Sequence, residues 1–144
     1  MSDLMNIDGL STYFFTEEGK VKAVDDVSFR VREGETVCIV GESGCGKSVT
    51  AMSIMGLVEE PGGKVAQGKI DFQGEDLLKM DKNTLRTIRG NEIAMIFQEP
   101  MSSLNPVIKI GEQIMEPLIV HLKMNKKQAR IRAIELIKQV GISR

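Results

Sequence analysis

Residues 41–48 read GESGCGKS and constrain the fold of this chain more than any other segment. They match the phosphate-loop pattern G-x-x-x-x-G-K-[ST] at every fixed position. The preceding residues, 36–40 (TVCIV), are apolar except for Thr36, which is typical of a parallel strand that is covered on both faces. Residues 49–58, which follow the loop, carry apolar side chains at roughly helical spacing. A buried strand that enters the loop and a helix that leaves it predict an α/β phosphate-binding fold.

Each fixed position of the motif has a physical reason. Glycines at positions 41, 44 and 46 permit backbone angles that side chains forbid, so the loop N–H groups can converge on an anion. The next helix adds its positive N-terminal end. Lys47 would place an ammonium on the β- and γ-phosphates, and Ser48 would offer a hydroxyl to Mg²⁺. The predicted nucleotide-binding residues are Gly41, Glu42, Ser43, Gly44, Cys45, Gly46, Lys47, Ser48 and Val49.

Cys45 occupies a variable position of the loop and has two interpretations. Its place beside Lys47 and a helix start favours the thiolate, which would react with alkylating agents. The simpler interpretation is a small residue that fits the loop. The other cysteine, Cys38, does not form a metal-ligand or disulfide spacing with it, which is typical of a reducing cytosol.

Periodicity and turn residues predict the elements of the rest of the chain. Residues 4–15 and 21–31 are expected to form antiparallel strands, 69–72 a short strand and 92–97 (EIAMIF) a second buried strand. Helices are expected over 81–89, 108–122 and 125–140, with Asp81 and Asn125 as N-caps. The composition changes from strand-rich to helical near Gln98. We therefore expect a subdivision into residues 1–97 and 98–144 of one domain.

Composition excludes several classes of function. The chain has 144 residues, enough for one domain, and a net charge of -1, so no positive field indicates a nucleic-acid partner. Its longest apolar run is far below the roughly 20 residues that a membrane helix needs. The N-terminal residues do not have the pattern of a signal peptide. Any role at a membrane is expected to depend on a partner.

Four segments resemble the ATP-binding subunits of ABC transporters. They are AVDDVSF (23–29), GETVCIVGESGCGKS (34–48), IFQEPMSSLNP (96–106) and IGEQIMEPL (110–118). The last two resemble the oligopeptide and dipeptide importers in particular, and nickel importers share much of the pattern. The resemblance implies an α/β P-loop domain with an antiparallel β subdomain, the start of a parallel core sheet and the start of a helical subdomain.

The resemblance also implies roles for residues. Gln98 is similar to the Q-loop glutamine, which positions Mg²⁺ and the attacking water, and Lys47 would assist catalysis. Glu99 stands where Asp is more usual. An aromatic residue of the first strand would stack on adenine, with Phe14 favoured by its distance from Leu10 and Tyr13 second. His121 does not match the family's switch histidine and is interpreted as a solvated helix residue.

The implied partners are membrane-spanning transporter subunits, contacted through the Q-loop and helical region, and a second ATP-binding subunit. These would place the chain at the cytoplasmic face of the cell membrane, with ATP and Mg²⁺ as ligands. Nucleic acid is not an expected partner.

Parts that hydrolysis needs are missing from the sequence. No apolar run is followed by Asp-Glu, and neither an L-S-G-G-Q-like signature nor the switch histidine occurs in the 144 residues. The chain resembles the first half of an ATP-binding subunit. We expect it to bind MgATP without hydrolysing it alone, and to be marginally stable or to aggregate.

Two alternatives stay open from the residues. One is a non-hydrolysing nucleotide-binding fragment without a transport role. The other is a GTPase-like switch, because residues 71–74 (DFQG) match D-x-x-G, although no N-K-x-D motif follows.

Overall fold

Four strands form one antiparallel sheet in the computed structural model, which describes residues 3–58, 60–99 and 103–142. The sheet has the order β2-β1-β3-β4. Its strands are β1 (Asp3–Thr16), β2 (Gly19–Arg32), β3 (Gly63–Phe72) and β4 (Glu75–Asp76). The two predicted N-terminal strands are confirmed. The third strand is longer than predicted because β1 supplies backbone partners along most of its length.

The buried apolar residues of the sheet come mainly from β1 and β3. Ile7 and Leu10 of β1 and Ile70 of β3 are fully buried, and Phe72 lies beside them in the same core set. Leu77, in a short 3-10 turn over Leu77–Lys79, is also buried. This apolar layer holds β1, the strand that carries Tyr13 and Phe14, in place.

Two helices belong to this region of the chain. Helix α1 spans Lys47–Ile54 and α2 spans Lys82–Ile88. Helix α1 begins inside the phosphate-loop motif and ends before residue 58, because Gly56 adopts a φ of 60° after its last turn. Asp81 accepts the N–H groups of Asn83 and Thr84, as expected of an N-cap.

The C-terminal region is helical. Helix α3 (Ile110–Val120) continues through Pro117, and α4 (Lys126–Gln139) packs against it. Asn125 and Gln128 form a capping box at the start of α4, as their spacing predicts. The buried residues of this pair are Leu118, Ala129 and Ala133. Val140, which directly follows α4, is exposed.

The predicted strand at residues 36–40 is wrong for this structure. The segment has no regular structure, and Val37, Ile39 and Val40 are exposed. Its apolar pattern is typical of a parallel strand that pairs with a strand on each side and is covered by other elements on both faces. The described residues supply no strand that pairs with it, so its backbone stays irregular.

The predicted strand at residues 92–97 is wrong for the same reason. Only Ile93 makes a β-bridge, with Arg89, and the side chains of Ile96 and Phe97 are exposed. A parallel strand requires a partner that is distant in sequence, and the described ranges contain none for it.

The structure divides into two compact units, residues 1–85 and 86–144. This division lies twelve residues before the expected boundary between residues 97 and 98. The expected boundary separates subdomains of one nucleotide-binding domain, and it stays a prediction. Over the ranges that the structure describes, no helix is both long and apolar enough to cross a membrane.

Candidate phosphate-binding site

The loop before α1 has the backbone shape that an anion site requires. Gly44 and Gly46 have φ angles of 82° and 90°, which side chains rarely adopt. The Thr50 N–H donates to the Gly46 carbonyl at 2.8 Å, which closes the first helical turn. The N–H groups of residues 47–49 therefore precede the helical ladder and have no acceptor within it. Together with the helix dipole, they fit a phosphate.

The glycines of the loop serve different purposes. A Cβ at Gly46 would collide with the Ala23 carbonyl oxygen of β2, so this glycine also allows the loop to lie against the sheet. Gly41 does not have a positive φ, and the reason predicted for it is wrong. A Cβ there would lie 2.5 Å from the Cys45 Sγ. A side chain at Gly41 would therefore require the Cys45 thiol to move.

The Lys47 ammonium joins the two ends of the loop. Its Nζ donates to the carbonyls of Gly41 at 2.7 Å and Glu42 at 2.6 Å, and lies 3.4 Å from the Cys45 Sγ. Ser48 is exposed one residue further along α1, and Val49 is half-buried. A cation, a hydroxyl and N–H groups without a helical acceptor therefore lie at one helix start, and these are the groups that bind a polyphosphate with its metal ion.

Tyr13 and Phe14 point to opposite faces of the sheet because they are consecutive in β1. The Thr12 hydroxyl is 2.7 Å from that of Ser53 in α1. Helix α1 therefore lies on the face that Thr12 shares with Phe14, two residues further along. The half-buried Phe14 ring lies against Gly63, so close that a Cβ there would be 2.7 Å from it.

Tyr13 is engaged on the other face. Its hydroxyl donates to Asp25 at 3.1 Å, and the ammonium of Lys20 lies 4.6 Å from its ring centroid. The hydrogen bond from Lys22, followed by that from Tyr13, holds the pKa of Asp25 below its ordinary value. Since Tyr13 is 8% exposed and held by these charges, the strand leaves Phe14 as the aromatic residue on the α1 face.

Gln98 belongs to the second unit and lies in an exposed bend. The expectation that it ends a strand is wrong, since residues 94–97 are irregular. Glu99 is exposed beside it, and Pro100, Met101 and Ser102 lie outside the described residues. His121 follows α3 directly and is half-buried rather than fully solvated, with its Nε2 close to Gly90.

Sequence reasoning did not assign a role to Gln113 of α3. Its side-chain amide accepts the Asn105 N–H at 2.9 Å and donates to the carbonyls of Asn105 and Ile108 at 2.9 and 2.8 Å. One side chain thus holds the end of the loop that follows Gln98 onto α3. The sequence signal for this role was the position of Gln113 in the IGEQI segment. Such a motif does not indicate which backbone N–H and carbonyl groups the glutamine binds.

The D-x-x-G segment is a turn. The Asp71 carboxylate pairs with the Lys69 ammonium at 2.6 Å and accepts the Gly74 N–H at 2.9 Å. The hydrogen bond from Lys69, followed by that from Gly74, keeps the pKa of Asp71 below its ordinary value. These contacts explain the segment as the closure between β3 and β4, and they do not favour a γ-phosphate sensor.

Comparisons with known proteins agree on one family. The model of the family described as ABC transporter matches residues 24–144. The oligopeptide transport ATP-binding protein AppD of Bacillus subtilis (strain 168) is 55% identical over 144 residues, which are 100% of this chain and 44% of that protein. The dipeptide transport ATP-binding protein DppD of Escherichia coli (strain K12) is 50% identical over 139 residues, which are 96% of this chain and 42% of that protein. The chain thus spans less than half the length of these relatives.

Solved structures agree with this match. The dimeric structure of MJ0796, a bacterial ABC transporter cassette, superposes with a TM-score of 0.78 at 26% identity, covering 96% of this chain and 58% of that one. A post-hydrolysis dimer of the same cassette, bound to ADP and Pi, gives a TM-score of 0.77 at 25% identity, with the same coverage of both chains. With the fold of an ATP-binding cassette around a phosphate loop, this chain belongs to the ABC transporter family.

Proposed function

We propose that this chain is the nucleotide-binding part of the ATP-binding subunit of an ABC peptide importer. The observation that carries the proposal is the Lys47 ammonium held at the start of α1, beside N–H groups without helical acceptors. The names of the relatives AppD and DppD support peptides as the transported class. Nickel is the alternative cargo.

The loop residues from Gly41 to Val49 would bind the phosphates of ATP, and Phe14 would stack on the adenine. Among the residues that the structure describes, no cluster of three or more His, Cys, Asp or Glu side chains could hold a metal ion. Mg²⁺ would be held by the phosphates of the nucleotide and the Ser48 hydroxyl, and Gln98 keeps the Mg²⁺-positioning role that the family resemblance implies for it. Hydroxyl and amide oxygens suit this hard cation.

The chain by itself would bind ATP without hydrolysing it. A water-activating glutamate beside a metal-binding aspartate is missing from the 144 residues, as is the signature segment. Coupling to transport would need a second ATP-binding subunit and membrane-spanning subunits, contacted through the loop after Gln98 and the α3–α4 region. The site of action would be the cytoplasmic face of the cell membrane.

Titration of the chain with ATP and Mg²⁺ by isothermal calorimetry tests the binding step. Lys47→Ala should weaken binding about 10-fold to more than 100-fold, because each charge-assisted hydrogen bond contributes about 1.5–3 kcal/mol. Lys82→Ala, which removes an exposed lysine of α2 far along the chain from the loop, should leave the affinity within twofold. Equal affinities for the wild type and Lys47→Ala would contradict the proposal.

Two further measurements separate the alternatives. Phosphate release above background by the isolated chain would overturn the non-hydrolysing part of the proposal. A higher affinity for GTP than for ATP, measured by competition between the two nucleotides, would favour the GTPase interpretation instead. Restoration of peptide uptake by membranes that contain the transporter subunits would distinguish a transport ATPase from a binding fragment.

A further inference from the structure

Helix α1 contacts the sheet through a buried polar side chain. The buried residues of this helix are Thr50 and Ser53, both hydroxyl residues, whereas apolar residues more often form the buried face of a helix. The Thr50 hydroxyl donates to the Gly46 carbonyl at 3.0 Å, within the helix itself. Ser53 instead reaches the sheet, because its hydroxyl lies 2.7 Å from that of Thr12 in β1. Both members of this pair are fully buried.

The direction of this hydrogen bond follows from the single proton that each hydroxyl carries. Ser53 donates its proton to the Val49 carbonyl at 2.7 Å. The Ser53 oxygen must therefore accept the proton of Thr12, and the bonds of such a chain strengthen one another. Val49 lies in the first turn of α1. Strand β1 is thus joined to the turn of helix that directly follows the phosphate loop.

A second contact fixes the start of the same helix. A Cβ at Gly46 would collide with the Ala23 carbonyl oxygen, so the end of the loop lies directly against β2. Gly46 and Ser53 are separated by about two helical turns and therefore lie on one face of α1. A single contact would leave the helix free to pivot, whereas two contacts on one face fix its distance from the sheet and its tilt.

Stability alone does not require hydroxyl groups at Thr12 and Ser53. Replacing both partners of a buried hydrogen bond with apolar groups of the same shape is often nearly neutral for the free energy of unfolding. Serine is also a weaker helix former than alanine, because its hydroxyl competes for backbone groups. A hydrogen bond differs from apolar packing because it requires a defined distance and angle. The pair therefore contributes a defined geometry between β1 and α1.

The pair joins the two elements that carry the proposed nucleotide site. Phe14, proposed to stack on the adenine, follows Thr12 by two residues on the same face of β1. Lys47, proposed to bind the phosphates, begins the helix that contains Ser53. We propose that the Thr12–Ser53 hydrogen bond is a positioning element that sets the distance between the base-stacking ring and the phosphate loop. The site then selects a ligand with a base and a polyphosphate at that spacing over a polyphosphate alone. This inference rests on the proposed function.

Isothermal calorimetry with two ligands tests the pair. ATP with Mg²⁺ occupies both halves of the site, whereas inorganic tripolyphosphate with Mg²⁺ occupies the phosphate loop only. Thr12→Val keeps the shape of the side chain and removes its hydroxyl. It should weaken ATP binding about 3-fold to 10-fold, because part of the stacking contribution is lost. Its affinity for tripolyphosphate should stay within twofold of the wild-type value. An unchanged ratio of the two affinities would overturn the proposal.

Thr12→Ser separates positioning from stability. Serine keeps the hydroxyl and loses a buried methyl group, so this variant should melt at a lower temperature than Thr12→Val. It should nevertheless keep the wild-type ratio of ATP affinity to tripolyphosphate affinity. A merely structural role predicts the opposite order, in which the less stable variant loses more of its ATP preference, and that result would overturn the proposal.

Ser11→Ala is the matched control, because Ser11 is a buried hydroxyl residue of the same strand. Its hydroxyl accepts the Asp26 N–H at 3.0 Å and so acts between β1 and β2. The control should lower the melting temperature and leave the ratio of affinities within twofold. A shift of the ratio as large as that in Thr12→Val would indicate general loosening of the strand and would overturn the positioning role.

Two variants of the proposed site distinguish a failure of this inference from a failure of the proposed function. Lys47→Ala should weaken the binding of both ligands, and Phe14→Leu should weaken that of ATP only. If both variants behave in this way while Thr12→Val keeps the wild-type ratio, the positioning role is overturned and the proposed function stands. Equal affinities of the wild type and Lys47→Ala for both ligands would overturn the proposed function and this inference with it.

Discussion

At the scale of single residues, the alternation of side chains along a strand adds to what sequence spacing predicts. The distance from Leu10 in the sequence favours Phe14 over Tyr13 as the residue that stacks on adenine, and this role stays a prediction. The structure places them on opposite faces of β1, with α1 on the Phe14 side. The loop lysine and the positive φ of Gly44 and Gly46 could be predicted, because the motif places glycine where the backbone of the loop must adopt such angles. The contact between Cys45 and Gly41 could not, since it depends on how the loop closes.

Phe14→Leu should weaken ATP binding about 5-fold to 100-fold, because stacking on a base contributes about 1–3 kcal/mol and leucine keeps the apolar volume without the ring. Tyr13→Phe removes only the hydroxyl that binds Asp25 and should leave ATP affinity within twofold. Titration calorimetry of both variants gives the comparison. The reverse order of effects would assign the base contact to Tyr13.

At the scale of elements, prediction succeeded where the partner of an element lies close in the chain. The β1–β2 hairpin and the capping box of α4 depend on neighbouring residues, and both could be predicted from pattern and spacing. The segments 36–40 and 92–97 could not, because a parallel strand depends on partners distant in sequence. Their apolar composition indicated burial, but it did not say which residues would cover them.

Helix α2 provides a test of electrostatics at this scale. The Thr84 hydroxyl, followed by backbone N–H groups, lowers the pKa of Asp81 below its ordinary value of 3.8. The cap therefore stabilises α2 fully above that value, and this stabilisation is lost as the pH falls through the lower folded pKa. Thr84→Ala should raise the pKa of Asp81, as measured by NMR titration of its carboxyl carbon. An unchanged midpoint would show that the hydroxyl does not stabilise the carboxylate.

At the scale of the whole molecule, the distribution of apolar surface is the unusual feature. Val40 is 90% exposed and Ile96 is 97% exposed, although each lies in a run of apolar residues. Soluble domains rarely leave such segments uncovered, because exposed apolar segments with unpaired backbone groups associate. The isolated chain is therefore expected to bring these segments together between molecules.

Analytical ultracentrifugation should show self-association of the wild-type chain at micromolar concentration. Val40→Lys/Ile96→Lys should reduce it, because charges disfavour burial of both segments. Thr36→Lys adds a charge to the same exposed stretch without removing an apolar group and should have a smaller effect. A cooperative thermal transition together with a monomeric profile for the wild-type chain would contradict this expectation.

The bonds of Lys47 to the carbonyls of Gly41 and Glu42 have a consequence for the thermodynamics of ligand binding. A long, flexible side chain loses up to about 1.5–2 kcal/mol of rotamer entropy when it is fixed. Here that loss occurs when the chain folds, so a phosphate that arrives meets a cation already ordered. Binding then exchanges carbonyl acceptors for phosphate oxygens, and its enthalpy is the difference between two sets of hydrogen bonds rather than the gain of a new one.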